Sequence, residues 1–245
     1  MNASQKTQKG MVIIANYNQG EEIERFLNEC RQTLPLEQMV VVDDGSTDGS
    51  DAVAERLGFT VLRHGKNQGI GAAIRTGIRH ASTQGCEWVL ISSSNGKMVP
   101  AEFPKIFGPV QNGEVQYVQG SRFLDLGKSP GLPTFRKFAI PVFSLGVSVL
   151  LGRWFTDATC GLRAYRIDFL QNPRIDIDQE WLNRYELEYY IHYHAVRTAK
   201  LKIKELPVTI RYDHLGEGRR SKIQPVVGWW SMIRPFVLLG LGIKR

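Results

Sequence analysis

Val40-Val41-Val42-Asp43-Asp44-Gly45-Ser46-Thr47-Asp48-Gly49-Ser50 is the stretch on which the reading of this chain turns. Met39 to Val42 is an unbroken apolar run, as a strand buried on both faces requires, and it ends in two carboxylates. Gly45 permits an immediate turn, and Ser46, Thr47 and Asp48 offer side-chain caps for a helix over Ser50 to Leu57. Strand, acidic end, turn and helix in that order open a crossover unit of an α/β protein. Carboxylates at such an end serve either as helix caps or as acceptors for a base N–H or ribose hydroxyls.

The alternation extends in both directions. Met11 to Ala15 reads as a buried strand, and Glu21 to Cys30 as a helix with Ile23, Phe26, Leu27 and Cys30 on one face. Downstream come a strand at Thr60 to Arg63, a helix at Gly71 to Ala81, and strands at Trp88 to Ser92 and Tyr117 to Gln119. This order predicts an α/β fold with a mainly parallel central sheet. The expected organisation is a flexible stretch over residues 1–10, one domain over 11–222, and an apolar or amphipathic helix over 223–245. Ligands of such sheets bind beyond the carboxyl ends of the strands. Those ends carry Asn16-Tyr17-Asn18, Asp43-Asp44, Arg63-His64, Ser93-Ser94-Asn95 and Ser121-Arg122, a polar rim suited to a nucleotide. Later, Glu180 to Thr198 reads as an aromatic-rich helix and Lys202 to Arg211 as an edge strand, where Pro207 is tolerated.

The 245 residues carry a net charge of +7. That balance suits phosphates, acidic lipids or nucleic acid, or plain solubility. The basic residues are dispersed and no recognition motif accompanies them, which argues against nucleic acid. Three cysteines without a C-x-x-C pair argue against a disulfide framework or a zinc site and favour a reducing, cytoplasmic compartment. Met1 to Gly10 is polar and reads as no signal peptide. The apolar stretches Phe138 to Leu151 and Pro225 to Ile243 are not clean spans, the first being short and the second interrupted by Ser231, Arg234 and Pro235.

A second segment reads Asn67-Gln68-Gly69-Ile70-Gly71-Ala72-Ala73-Ile74-Arg75-Thr76-Gly77. Its small residues let backbone approach a ligand or another helix. It is no dinucleotide motif, because it follows the third strand and lacks the third glycine. These two segments stand with Asn16-Tyr17-Asn18, Glu21-Glu22-Ile23, Gly120-Ser121-Arg122, Asp157-Ala158-Thr159-Cys160-Gly161-Leu162-Arg163 and Ser221-Lys222. Their order and spacing resemble the family 2 glycosyltransferases, in particular the dolichol- and polyprenol-phosphate sugar synthases, from about Val12 to Lys222.

The resemblance implies a single GT-A-type, Rossmann-like domain with amphipathic interface helices. It implies inverting transfer of a sugar from a UDP- or GDP-sugar to a polyprenyl or dolichyl phosphate. Donor-binding positions would be Ala15, Tyr17, Asn18, Asp43, Asp44, Gly45, Asn67, Gly71 and Asn95. Arg122, Arg136, Arg163 and the Arg219 to Lys222 loop, with Ser221 and Lys222, would handle phosphate, although any one arginine also suits an ion pair. Asp157 is the candidate base should the acceptor be a hydroxyl, or else a turn cap. Phe135 to Phe155, within interface helices at about 132–155, carries Arg136, Lys137 and Arg153 at its ends. Trp229-Trp230 stands beside Arg234 near the C-terminus. Both segments suit peripheral attachment to the cytoplasmic face of a membrane in a short monotopic form, or core packing.

One departure stands out. The family places Asp-x-Asp after the fourth strand to hold Mg2+ or Mn2+ on the diphosphate, whereas Ser93-Ser94-Asn95 and then Gly96-Lys97 stand here. Three readings follow: Lys97 replaces the metal, a metal is held by Asn95 and Asp157 with the donor phosphates, or the chain binds without catalysis. A soluble or glycan acceptor is the alternative to a lipid phosphate.

Overall fold

The computed structural model describes residues 8–213 and 227–244, so Arg219, Ser221 and Lys222 lie outside the described residues. The expected strands are present as β1 (Gly10–Asn16), β2 (Met39–Asp43), β3 (Thr60–Arg63), β4 (Trp88–Ser93) and β5 (Tyr117–Ser121). The expected helices are α1 (Glu22–Thr33), α2 (Ser50–Arg56) and α3 (Ile70–Thr83). Then follow α4 (Phe103–Gln111), α5 (Thr134–Leu151), β6 (Arg163–Arg166), α6 (Glu186–Arg197), β7 (Ile203–Pro207) and α7 (Val227–Gly240).

The strands form one sheet in the order β3-β2-β1-β4-β6-β5-β7. All pairings are parallel except those of β6, which runs antiparallel to β4 and β5. Helices cover both faces, which is why the central strands read as unbroken apolar runs rather than alternating ones. Ile13 and Val40 point into one core layer with α3, α6 and part of α5, while Val12, Ile14 and Val41 point into the other with α1 and α4.

The antiparallel strand decides where the site lies. Because β6 is reversed, its first residue, Arg163, pairs with Ile91 of β4 and Gln119 of β5 near their carboxyl ends. The segment just before it, Asp157 to Gly161, is thereby delivered to the rim.

Two elements have no mark in the sequence reading. Arg163 to Arg166 is short and half polar, and α4 contains Pro104 and Pro109, which read as breakers. Pro104 sits in the first helical turn, where its missing N–H costs nothing. Phe103, Ile106, Phe107 and Val110 supply a buried helical stripe, and Phe107 stacks on Trp88 at 4.6 Å. The capping of α2 also differs from expectation. Gly49, with φ 77°, occupies the N-cap, and only Asp48 of the three expected caps receives a helix N–H, from Ser50 at 3.0 Å. Ser46 bonds instead to Asp43 and Asn18.

The two apolar stretches are both helices. α7 packs Met232, Phe236 and Leu239 into the core, with Phe236 edge-on to Tyr189 at 5.8 Å. α5 buries Phe143, Val147 and Leu151 against the domain. Its other side remains apolar and open, with Phe138 72%, Val142 70% and Val149 74% exposed.

Gly71 illustrates how tightly the layers meet. A Cβ there would lie 2.1 Å from the Leu182 carbonyl oxygen and 2.5 Å from that of Arg184, backbone atoms that cannot swing away. Gly71→Ala is therefore expected to destabilise the fold by about 1–3 kcal/mol, measured as a lower urea midpoint. Gly108→Ala on α4, where nothing lies within 4 Å of the added Cβ, is expected to be neutral or stabilising by up to about 1 kcal/mol.

Candidate functional site

At the carboxyl ends of β1, β2 and β4, Asn16 is the common partner. Its buried side-chain amide donates to Asp43 Oδ1 at 2.6 Å and to Ser50 Oγ at 2.9 Å, and its Oδ1 accepts from Ser94 Oγ at 2.7 Å. Ser94 also reaches the Ala15 carbonyl. Asp43 completes its shell with the Ser46 backbone N–H at 2.9 Å. Ser46 in turn accepts from the Asn18 N–H at 3.0 Å, and Asn18 Oδ1 accepts from Thr47 N–H at 2.9 Å. Asn18 is held at φ 48°, a conformation asparagine tolerates better than most residues. Tyr17, between these anchored neighbours, is 37% exposed.

Asp44 is buried and saturated by its own chain. It accepts from Gln68 N–H at 2.8 Å, Gly69 N–H at 2.7 Å and Asn67 Nδ2 at 2.9 Å, and His64 Nδ1 lies 2.8 Å away. It thus shapes the loop that enters α3. Gly45 is required there, with φ 74° and room for a Cβ only 2.5 Å from the Lys66 carbonyl carbon. Of the two uses expected for the small residues of the 67–77 segment, Gly71 serves contact with the 182–184 backbone.

The other half of the rim is built on an ion pair. Arg122 Nε donates to Asp157 Oδ2 at 2.7 Å and its Nη2 to Oδ1 at 2.8 Å, while its backbone N–H adds a third bond at 3.1 Å. Its Nη1 donates to the Tyr212 hydroxyl at 2.7 Å, and Thr159 Oγ1 accepts as well. Burial alone would lower the Arg122 pKa, but the Asp157 charge and its hydrogen bonds outweigh this and hold the guanidinium charged. Arg163 is also buried, donating to the carbonyls of Ala158, Cys160 and Glu188 at 2.8–3.0 Å. It clamps the 157–161 loop from below.

Lys97 completes this half. Asn95 Oδ1 accepts from the Lys97 N–H at 3.1 Å, and the Lys97 carbonyl accepts from Arg211 N–H at 2.7 Å. The Lys97 ammonium lies 5.4 Å from the centre of the Tyr212 ring, the residue that also receives Arg122. Arg136, on the first turn of α5, acts electrostatically on Tyr212 and Tyr185. Tyr212 and Glu188 are the participants without a signal in the sequence. Glu188 Oε1 is buried without a hydrogen-bond partner among the described residues, and a Cβ on Gly161 would lie 3.5 Å from it. Burial raises its pKa, with Arg163 opposing.

These donors do not fit a divalent cation. Ser93, Ser94 and Asn95 are neutral, Ser94 is fully buried with its hydroxyl donated to Asn16 and Ala15, and Asn95 Oδ1 accepts from the Lys97 N–H. Both oxygens of Asp157 belong to Arg122. Among the described residues no group of three or more His, Cys, Asp or Glu gathers as a metal cluster.

A mostly parallel sheet covered on both faces, with an anchored polar rim and one reversed strand, is an architecture of the GT-A type. The model of glycosyl transferase family 2 matches residues 11–172, and this chain, an enzyme, belongs to that family. An undecaprenyl-phosphate mannosyltransferase from Micrococcus luteus is 31% identical over 86% of this chain and 87% of its own. A UDP-N-acetylglucosamine–dolichyl-phosphate N-acetylglucosaminyltransferase from Methanococcus voltae is 25% identical over 86% and 89%. Glucosyl-3-phosphoglycerate synthase from Mycobacterium tuberculosis, solved with Mg2+ and UDP, shares the fold with a TM-score of 0.67 at 18% identity, over 97% of this chain and 81% of that one.

The Arg122–Asp157 pair is buried, so removing one partner strands a charge. Asp157→Asn or Arg122→Met is expected to cost about 3–5 kcal/mol of stability, and the double variant clearly less than the sum. Denaturant titrations of all three variants read this directly.

Proposed function

We propose that this enzyme transfers a sugar from a UDP- or GDP-sugar to a polyprenyl or dolichyl phosphate at a membrane surface, with inversion. The observation that carries the lipid acceptor is the uncovered side of α5. Phe138, Val142, Leu145, Val149, Leu150 and Trp154 are each at least half exposed on or just after that helix. A soluble monomer rarely leaves such a contiguous apolar strip to water. An interfacial helix does, and Arg136, Lys137 and Arg153 flank the strip as anionic head groups favour. The names of the relatives point the same way.

An apolar furrow of about 390 Å³ runs beside the helix, walled by Phe123, Pro141, Val142, Leu145, Trp154 and Phe155. Its Phe123 wall touches the rim, since the Arg122 guanidinium lies 6.0 Å from that ring. A prenyl chain in the furrow therefore brings its phosphate towards the rim and Arg136. Ser221 and Lys222 are further candidates for that phosphate.

In this reading the base and ribose lie against Ala15, Tyr17 and Asn18, on loops held by Asp43, Asp44, Gly45 and Asn67. The diphosphate lies at the end of β4 near Asn95. Arg122, Asp157 and Arg163 position the 157–161 loop rather than react. An acceptor phosphate is ionised near neutral pH and attacks without a strong base, which is why Asp157 can remain locked in its ion pair. In-line attack at the anomeric carbon expels the nucleoside diphosphate and inverts the centre.

Incubation with labelled UDP- and GDP-hexoses and undecaprenyl phosphate is expected to move label into an organic extract. Flotation with anionic vesicles is expected to fall about tenfold or more in a Phe138→Gln/Val149→Gln double variant. The proposal fails if no donor labels the lipid, and its membrane part fails if flotation is unchanged.

A further inference from the structure

We infer that the C-terminal end of α5 carries a second lipid site, in which the headgroup of an anionic phospholipid lies on Arg153 and Arg197 and part of an acyl chain fills the hollow beside Trp154. The inference rests on the membrane-surface reading above and names a partner of that surface other than the acceptor.

Two apolar hollows adjoin α5, and Leu145 and Trp154 form a common wall between them. One is the furrow that reaches Phe123 beside the rim. The other, of about 240 Å³, is lined by Leu145, Ser148, Val149, Gly152, Arg153 and Trp154. It lies at the last turns of the helix, whereas Arg136 stands on the first turn. A chain in this hollow therefore leaves the furrow open for the acceptor.

α5 ends at Gly152, whose left-handed φ of 66° turns the chain and leaves that part of the hollow without a side chain. A Cβ there would lie 3.8 Å from Arg197 Nη1, so the guanidinium from the end of α6 reaches the same spot. Arg153, the next residue, is held in place. Its Nη2 donates to the Ile203 carbonyl at 2.6 Å on β7, the edge strand, and its guanidinium stands 5.9 Å from the centre of the Phe155 ring. Neither contact cancels its charge.

Exposed Lys200, Lys202 and Lys204 follow in the turn after α6 and on β7. Among the described residues none of these cations forms an ion pair, whereas Arg63, Arg79 and Arg166 elsewhere on the surface do. A cation at the end of a helix suits its dipole. That accounts for Arg153 and Arg197 singly, but not for the three lysines or for an apolar hollow beside them.

Unneutralised cations attract anions of many kinds, and the hollow narrows the choice. Val149, Leu150 and Trp154 are exposed at this end of the helix. Free phosphate or an acidic peptide would leave them in water, and an acyl chain covers them. An anionic phospholipid carries both parts in the order that this surface presents them.

Calorimetry on the full chain with monomeric dihexanoyl phosphatidylglycerol tests this, against dihexanoyl phosphatidylcholine, inorganic phosphate and a polyglutamate peptide. One phosphatidylglycerol is expected to bind about tenfold or more tightly than any of the other three. Arg197→Gln is expected to weaken it about fivefold and Arg153→Gln/Arg197→Gln about tenfold or more. Val149→Gln, which wets the hollow and leaves the cations, is expected to weaken it about threefold or more. Arg197 and Val149 are exposed, so melting curves of their single variants should match wild type. Equal or tighter binding of the choline lipid, of phosphate or of the peptide overturns the inference, as does binding that survives Arg197→Gln and Val149→Gln unchanged. In either case, continued labelling of undecaprenyl phosphate leaves the transfer reading standing. Wild-type protein that floats with no vesicle, neutral or anionic, overturns the membrane reading itself.

Discussion

Arg122 and Asp157 stand in a place where neither is tolerable alone. The carboxylate is wholly buried and the guanidinium nearly so, and the two meet through paired hydrogen bonds. Their pairing fixes the loop that precedes β6, the ring of Tyr212 and, through that ring, the Lys97 ammonium. The reversed strand makes this arrangement reachable, since only a strand running backwards begins at the carboxyl edge of its neighbours. The acidic and basic groups that look catalytic in the sequence are therefore largely the frame, and the working surface lies on what the frame presents.

The same division holds at the other end of the rim. Asp43 and Asp44 stand where a nucleotide reader is expected, and both are occupied by loops of the chain. Buried carboxylates that accept several N–H bonds order a loop at little cost, because the donors replace the water they lost. A loop ordered in that way can offer Tyr17, Asn18 and backbone groups to a ligand in fixed positions. Preorganisation of this kind suits a flexible nucleotide-sugar better than carboxylates free to swing.

α5 carries two incompatible demands on one helix. Phe143, Val147 and Leu151 close the core, while Phe138, Val142 and Val149 remain apolar and open. A helix apolar on all sides is stable only where both sides meet something other than water. The furrow beside it lies next to the rim through Phe123, so under the proposed function the lipid-facing surface and the candidate site share one element.

Much of the fold was legible in the sequence because burial on both faces leaves a plain mark: MVIIA, MVVV and WVLIS admit no other element at that length and spacing. Helix α4 and strand β6 were not legible, since prolines obscured one and polar residues the other, and tertiary contacts overrode both. The residues of the rim could be named from strand ends alone. Their duties could not, because whether Asp44, Arg163 or Gly71 faces a ligand or its own chain depends on which distant loop packs against it. The sequence by itself determined the layers and the polar edge that carries the candidate site, through local patterns of burial and turning. Only the tertiary structure decided which charged groups pair with one another, as Arg122 does with Asp157, because electrostatic pairing acts between residues that the chain order keeps far apart.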